Sequence, residues 1–231
     1  RDRNQDAYFI SSSETHPLFI IADGMGGHKA GEVASNMAIE IVSNQLVEVL
    51  QKLTSDEEEI RNEIRSSIDI ANEKIYKRSL IDERLSGMGT TITIAYINRW
   101  KVYIGHVGDS RAYILRKRTL HQLTRDHSLV EELIRNGSIS EEEAKNHPQR
   151  NIITRAVGTN DDVEVDLIVG EIYEDDILLL CSDGLSNMLS DDEIEKILLN
   201  SSSMGEACEN LVELSKDKGG FDNITVLAVK F

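Results

Sequence analysis

Four aspartates in this chain stand where an apolar run gives out or begins. Asp23 follows residues 18–22, Asp109 follows 101–107, Asp183 follows 176–182, and Asp222 comes just before 224–229. Each is followed by a small or amide residue: Gly24, Ser110, Gly184 and Asn223. Asp6 adds a fifth, beside the first short apolar run at 7–10. A carboxylate at the end of a buried strand is costly unless it is paired or holds a metal. Glycine beside it lets the backbone come close and permits a left-handed conformation, so the Gly24 carbonyl could add a second oxygen ligand. If the strands are neighbours, the carboxylates converge at one edge. Like charges packed together would not stay ionised without cations. Oxygen ligands completed by water suit Mg²⁺ or Mn²⁺ rather than zinc, and no Cys or His spacing here resembles a zinc site. Two such ions roughly 3.5–4 Å apart can turn a shared water into a hydroxide nucleophile. Asp23, in the tightest turn, is the choice for the bridging ligand.

Two further residues carry chemistry. Arg1 is the best cationic candidate near that edge, because the chain runs straight from it to Asp6. A guanidinium grips a phosphate with two parallel hydrogen bonds; a frayed terminus is the competing reading. His28 lies just after the glycine turn. It could protonate a leaving oxygen or hold a phosphate, or simply face solvent.

The elements that must position these groups can be read from periodicity. Between 32 and 53, Val33, Met37, Ile41 or Val42, Leu46, Val49, Leu50 and Leu53 share one helical face. Ser55 and Glu58 have capping-box spacing ahead of a second helix carrying Ile60, Ile64, Ile68, Ala71 and Ile75. After Gly87-Met88-Gly89 the period becomes alternating, with strands at 90–97 and 101–107, then 111–115 and 119–123. Residues 124–158 break this meander with two short helices, one stopped by Gly137 and one opened by Ser140 with Glu143. With too few apolar residues for its own core, this stretch reads as an excursion off the sheet. A strand at 163–169, an apolar strand at 176–182, helices opened by Ser190/Glu193 and Ser203/Glu206, and a strand at 224–229 follow. Alternating and continuous apolar strands together predict two antiparallel sheets packed face to face, with helix pairs outside. The expected class is α+β, a four-layer α/β/β/α sandwich in one domain over 1–231.

Composition bounds the function. The 231 residues carry a formal charge of −16, which argues against nucleic acid and against an anionic membrane surface. A two-metal nuclease is disfavoured for the same reason. Residues 24–31 lack the spacing of a nucleotide-binding loop. Cys181 and Cys208 make no disulfide framework and read as reduced core thiols. There is no signal-peptide pattern and no apolar run of membrane length, so a cytoplasmic protein without membrane insertion is expected. Because the chain opens at Arg1 rather than at methionine, a preceding stretch is expected too.

Arg1-x-x-Asn4-Gln5-Asp6, Ala22-Asp23-Gly24-Met25-Gly26-Gly27, Gly87-Met88-Gly89-Thr90-Thr91, Val107-Gly108-Asp109-Ser110-Arg111, Asp126-His127-Ser128, Ser182-Asp183-Gly184 and Asp222-Asn223-Ile224-Thr225 occur in that order. This ordered set resembles the bacterial branch of the metal-dependent protein phosphatases (PPM, the type 2C serine/threonine phosphatases), from residue 1 to residue 231. The resemblance implies that Asp23 bridges two Mn²⁺ or Mg²⁺ ions, with the Gly24 carbonyl on one and Asp183 and Asp222 completing the other. It implies Asp6 behind a metal-held water, and Asp109 with Asp183 on a weaker third ion. Arg1 would bind the substrate phosphate, and residues from about 126 to 158 would form a flap beside the site. The reaction would be direct attack by water on phosphoserine or phosphothreonine of phosphorylated proteins, opposing a cognate membrane-bound Ser/Thr kinase, with a monomer expected. Where eukaryotic relatives carry a histidine after the Asp-Gly pair, Met25 stands here. Leaving-group protonation would then fall to water or to His28. Gln5 stands where a glutamate is common, so more waters should fill that metal's shell. A non-catalytic phosphoprotein-binding module on the same fold is the alternative, and it would be expected to lack one or more of these aspartates.

Overall fold

Successive strand residues face opposite sides, and a strand covered on both sides has no polar position left in its pattern. That is why the apolar runs are nearly unbroken here. The computed structural model describes residues 3–231 other than 12, 14–15, 27–29, 51 and 53–55. In chain order come β1 (Asp6–Ile10), β2 (Leu18–Met25), α1 (Ala30–Leu50), α2 (Glu57–Ile81), β3 (Gly89–Thr90), β4 (Ile92–Asn98) and β5 (Lys101–Val107). Next are β6 (Arg111–Arg116), β7 (Thr119–Gln122), α3 (Leu129–Arg135), α4 (Glu141–Lys145) and β8 (Asp166–Glu171). The chain closes with β9 (Ile177–Cys181), α5 (Asp183–Ser186), α6 (Asp191–Asn200), α7 (Met204–Asp217) and β10 (Val226–Lys230).

One antiparallel sheet runs β1-β2-β4-β5-β8 with β3 beside β2, and the other runs β10-β9-β6-β7. Three apolar layers separate the four structural ones. Leu18 and Ile20 of β2, with Ile92, Ile94 and Tyr96 of β4, face α1 and α2. Phe19 and Ile21, one residue out of step, meet Ala112, Ile114, Leu178 and Leu180 of the second sheet. Ile177, Leu179 and Cys181 then face Leu185, Ile194, Leu198 and Leu211 beneath that sheet. The four-layer α/β/β/α sandwich is therefore observed. Of the two thiols, Cys181 is buried but Cys208 only half-buried, and both are free.

Local chemistry sets the element ends. Complete capping boxes open α4 at Ser140/Glu143 and α6 at Ser190/Glu193. At α7, Ser203 accepts from the Glu206 amide while the Glu206 carboxylate turns to Ser202. Ser55 lies outside the described residues; α2 is capped by Asp56, which accepts from the amides of Glu58 and Glu59. Lys117 and Arg118 both take positive φ, 49° and 69°, the handedness that a two-residue hairpin turn requires. The strand expected at 90–97 is broken at Thr91, because β3 pairs with the end of β2 while Thr91 bonds to Asp23 instead.

The inter-sheet layer holds both sheets, so truncating it has a large effect. Leu180→Ala is expected to lower unfolding free energy by about 2–5 kcal/mol, measured by urea unfolding.

Candidate active site

The acidic edge is built from both sheets. Asp6 and Asp23 are direct partners across β1 and β2. Asp23 lies inside β2, which stays paired as far as Met25, and not in the turn the sequence suggests. Its main chain is fixed by three bonds: its amide donates to Thr91 Oγ1 (2.9 Å), its carbonyl accepts from the Thr91 amide (2.9 Å) and from Thr90 Oγ1 (2.9 Å). Glycine follows because nothing larger fits. A Cβ on Gly24 would lie 2.0 Å from the Gly31 carbonyl oxygen and 2.8 Å from that of Gln5. Gly24 thus serves close approach, whereas Gly26 supplies the positive φ, 129°.

From the other sheet, Ser182 and Thr225 donate their hydroxyls to Asp6 Oδ2 at 2.8 and 2.7 Å. Asn223 Oδ1 accepts the Gln5 amide at 3.0 Å. Ser182 is the residue before α5, yet it makes no capping bond there; its hydroxyl donates to Asp6 and accepts the Thr225 amide at 3.0 Å instead. Asp183 opens α5, and Asp222 sits in the loop before β10. Asp109 lies between β5 and β6, where the chain passes from one sheet to the other. Ser110 Oγ meets Thr91 Oγ1 at 2.8 Å and ties that loop to the strand of Asp23.

The electrostatics follow from this crowding. Burial pushes the Asp23 carboxyl well above the usual carboxylate range, and Asp6, Asp183, Asp109 and Asp222 push it further. Burial also raises Asp6, against the lowering effect of the two hydroxyls. Asp109 is pushed up to about 7, by burial first and then by Asp183 and Asp126. Arginines nearby are engaged elsewhere: Arg111 grips Asp126 through Nε (2.8 Å) and Nη2 (2.7 Å), and Arg155 bridges Glu164 and Asp166. Asp6 Oδ1 and Asp109 Oδ1 are buried and accept no hydrogen bond among the described residues.

Buried acidic oxygens without a donor to meet them fit a hard divalent cation. Among the described residues, no three Asp, Glu, His or Cys side chains close a metal cage by themselves. Any ion held here would draw on a backbone carbonyl and on water as well, as Mg²⁺ and Mn²⁺ readily do. Asp6, Asp109, Asp183 and Asp222 all lie near enough to Asp23 to raise its carboxyl. Arg1 and His28 lie outside the described residues. Gln5 is buried, with Nε2 3.4 Å from the Gly26 carbonyl.

Sequence reasoning gave no role to Ser182, Thr225 and Asn223, although hydroxyl and amide residues next to the aspartates were the available signal. Nor did it single out His106. Its ring is buried, held down to about 4 by burial and by His127, and bonded to Thr93 Oγ1 and the Arg125 carbonyl, both at 3.0 Å.

A four-layer sandwich carrying a convergent carboxylate cluster suited to divalent cations defines a class of metal-dependent hydrolase. The family model described as Protein phosphatase 2C matches residues 1–217. The chain belongs to the protein phosphatase 2C family. It is 45% identical over 231 residues to the Serine/threonine phosphatase stp of Listeria welshimeri, covering 100% of this chain and 91% of that protein. The structure of the S. agalactiae serine/threonine phosphatase superposes with a TM-score of 0.92 at 41% identity, covering 100% of this chain and 95% of that one. The catalytic domain of the serine threonine protein phosphatase PstP in complex with two manganese ions matches with a TM-score of 0.86 at 34% identity, covering 99% and 91%.

The raised Asp109 carboxyl makes metal-free stability depend on pH. The unfolded group ionises near 3.8 and the folded one near 7. The folded state therefore keeps the extra proton between those values, and stability falls as pH rises through that window. Asp109→Asn is expected to stabilise the metal-free protein at pH 8 by up to about 4 kcal/mol, with the gain gone below about pH 4. Urea unfolding at the two pH values measures it.

Proposed function

We propose that this chain hydrolyses phosphoserine and phosphothreonine esters in proteins by direct attack of water, with Mn²⁺ or Mg²⁺ held at the acidic edge. The observation that carries the reading is the half-buried Asp23 carboxyl, raised by desolvation first and then by four other acids, and paired with no cation among the described residues. Family membership and the manganese-bound relative support it. Two bound divalent ions supply Lewis acidity at the phosphate oxygens and a low-pKa water.

The residues present would divide the work as follows. Asp23 takes the bridging position with the Gly24 carbonyl beside it, and Asp183 and Asp222 complete the pair of sites. Asp6 stands behind them, its Oδ2 locked by Ser182 and Thr225. Asp109 with Asp183 holds a weaker third ion. Arg1 grips the substrate phosphate, and His28 or solvent protonates the leaving oxygen. Residues 126–158 flank the site as a flap within one domain over 1–231. We read a monomer in the cytoplasm, opposing a membrane-bound Ser/Thr kinase. No described helix is long and apolar enough to cross a membrane.

The test is release of phosphate from a phosphothreonine peptide with Mn²⁺, set against DNA cleavage under the same conditions. Asp23→Ala should lower turnover more than about a hundredfold, since disturbing even an outer partner of a metal ligand costs 10–100-fold. Its far-UV circular dichroism should stay that of the wild type. Retained turnover would refute the bridging role. Asp109→Ala should lower activity while two ions remain bound, counted by metal analysis of the purified protein.

A further inference from the structure

The Asp126-His127-Ser128 stretch opens the 126–158 excursion, and none of its side chains has a role above, yet the His127 imidazole is buried at the crossing of three segments. On one side it grips Gly108 at both ends. The His127 amide donates to the Gly108 carbonyl at 2.8 Å, and the Gly108 amide donates to His127 Nδ1 at 3.0 Å. Gly108 has φ 112°, and a Cβ there would stand 2.5 Å from Thr91 Cγ2. The next residue is Asp109. On the other side the His127 carbonyl accepts the Thr154 amide at 2.8 Å, the Leu129 amide donates to the Ile152 carbonyl at 2.9 Å, and Ser128 bridges to Ile153.

Because Nδ1 accepts, the ring proton sits on Nε2, which faces Asp166 Oδ2 at 3.2 Å; Arg155 Nη1, 3.0 Å from Nε2, is donor-only and so makes no hydrogen bond to the ring in this tautomer. Arg155 Nη1 donates to the other oxygen of Asp166 at 2.8 Å, so ring and guanidinium share one carboxylate. The His106 ring packs on His127 with centroids 4.9 Å apart, and its own bonds to Thr93 and Arg125 fix it in place. The imidazole of His127 is left a single orientation, with its acceptor aimed at one backbone amide.

We propose that His127 is a positioning residue for Asp109: by holding the amide and carbonyl of Gly108, it sets the direction in which the Asp109 carboxylate leaves the chain. By carrying residues 152–154 on its own carbonyl and on its neighbours, it also ties that direction to the 126–158 excursion. The inference rests on the reading of Asp109 as a ligand of the weaker third ion.

The test compares His127→Asn, His127→Gln and His127→Ala with Asp109→Ala, all in the full chain. An asparagine oxygen falls near the place of Nδ1 and can still accept from Gly108, whereas glutamine reaches toward Asp166 and leaves that amide unpaired. Two quantities are read: amide exchange at Gly108 by NMR in the metal-free protein, and Mn²⁺ affinities by calorimetry. Asp109→Ala should abolish the weakest Mn²⁺ site. His127→Ala and His127→Gln should each speed Gly108 exchange and weaken that site by about tenfold, the effect of stranding one buried donor. His127→Asn should stay within about threefold of the wild type on both. Should His127→Ala fail to fold, the two amide variants still decide the matter. Wild-type behaviour of His127→Gln, or equal defects in His127→Asn and His127→Gln, would overturn the role of the Nδ1 contact. A His127 variant with fast Gly108 exchange that keeps the Asp109-dependent site would overturn the positioning role alone. An Asp109→Ala protein that keeps every Mn²⁺ site would instead overturn the ligand reading of Asp109, and with it the metal half of this proposal.

Discussion

Carboxylates taken out of water beside one another repel, and most of what surrounds the acidic edge answers that repulsion. Two like charges about 4 Å apart oppose each other by about 4 kcal/mol at an effective dielectric of about 20. Asp23 is raised first by its own desolvation and then by four acidic neighbours. Hydrogen bonds offset part of it: Ser182 and Thr225 donate to Asp6, the Asn187 amide to Asp183, and the Asn223 backbone amide to Asp222. Hydrogen bonds of that type are stronger than neutral ones, but they fix a charge in position and do not neutralise it. Asp6 Oδ1 and Asp109 Oδ1 stay buried without a donor among the described residues.

Holding the carboxylates in place requires stiffness that a loop alone lacks. Asp6 and Asp23 sit on paired strands, so the sheet carries their positions. Asp109 and Asp222 sit in loops, and each is anchored through the next residue: Ser110 on Thr91, and Asn223 on Gln5. The bonds that join the sheets at this edge link residues 176, 218 and 219 positions apart. The site therefore does not exist in any local fragment. It appears only when the first strand and the last segments have docked, and contacts so distant in sequence form late because the chain entropy must be lost first.

Much of this was legible in advance. The period-two runs located the strands, and the capping boxes at Ser140 and Ser190 located helix starts, because both signals are local. The aspartates were legible because a carboxylate beside an apolar run is costly wherever it occurs. Asp23 was misplaced into a turn because Asp-Gly normally marks one. Here Gly24 answers a tertiary demand instead, the backbone of Gly31 passing within contact distance. The break at Thr91 was equally invisible, since the hydroxyl that interrupts the strand bonds to a residue 68 positions away. His106 gave no signal at all, and His127 stood only as part of the Asp126-His127-Ser128 motif without a role: two histidines 21 positions apart acquire meaning only when β5 and the start of the excursion are stacked.

The surroundings also rank the acidic positions against one another. Every charge that weighs most on Asp23 is acidic, so a cation beside it meets attraction from all sides. Asp109 is different. Asp183 and Asp126 raise it, but the Arg111 guanidinium counts among the groups that lower it, and Arg111 is itself fixed by Asp126 and by the Tyr113 hydroxyl. A divalent ion at Asp109 would approach a guanidinium that cannot swing away. That guanidinium is held by Asp126, which weighs more on Asp109 than Arg111 does, so the acidic field at Asp109 is reduced by the arginine but not cancelled.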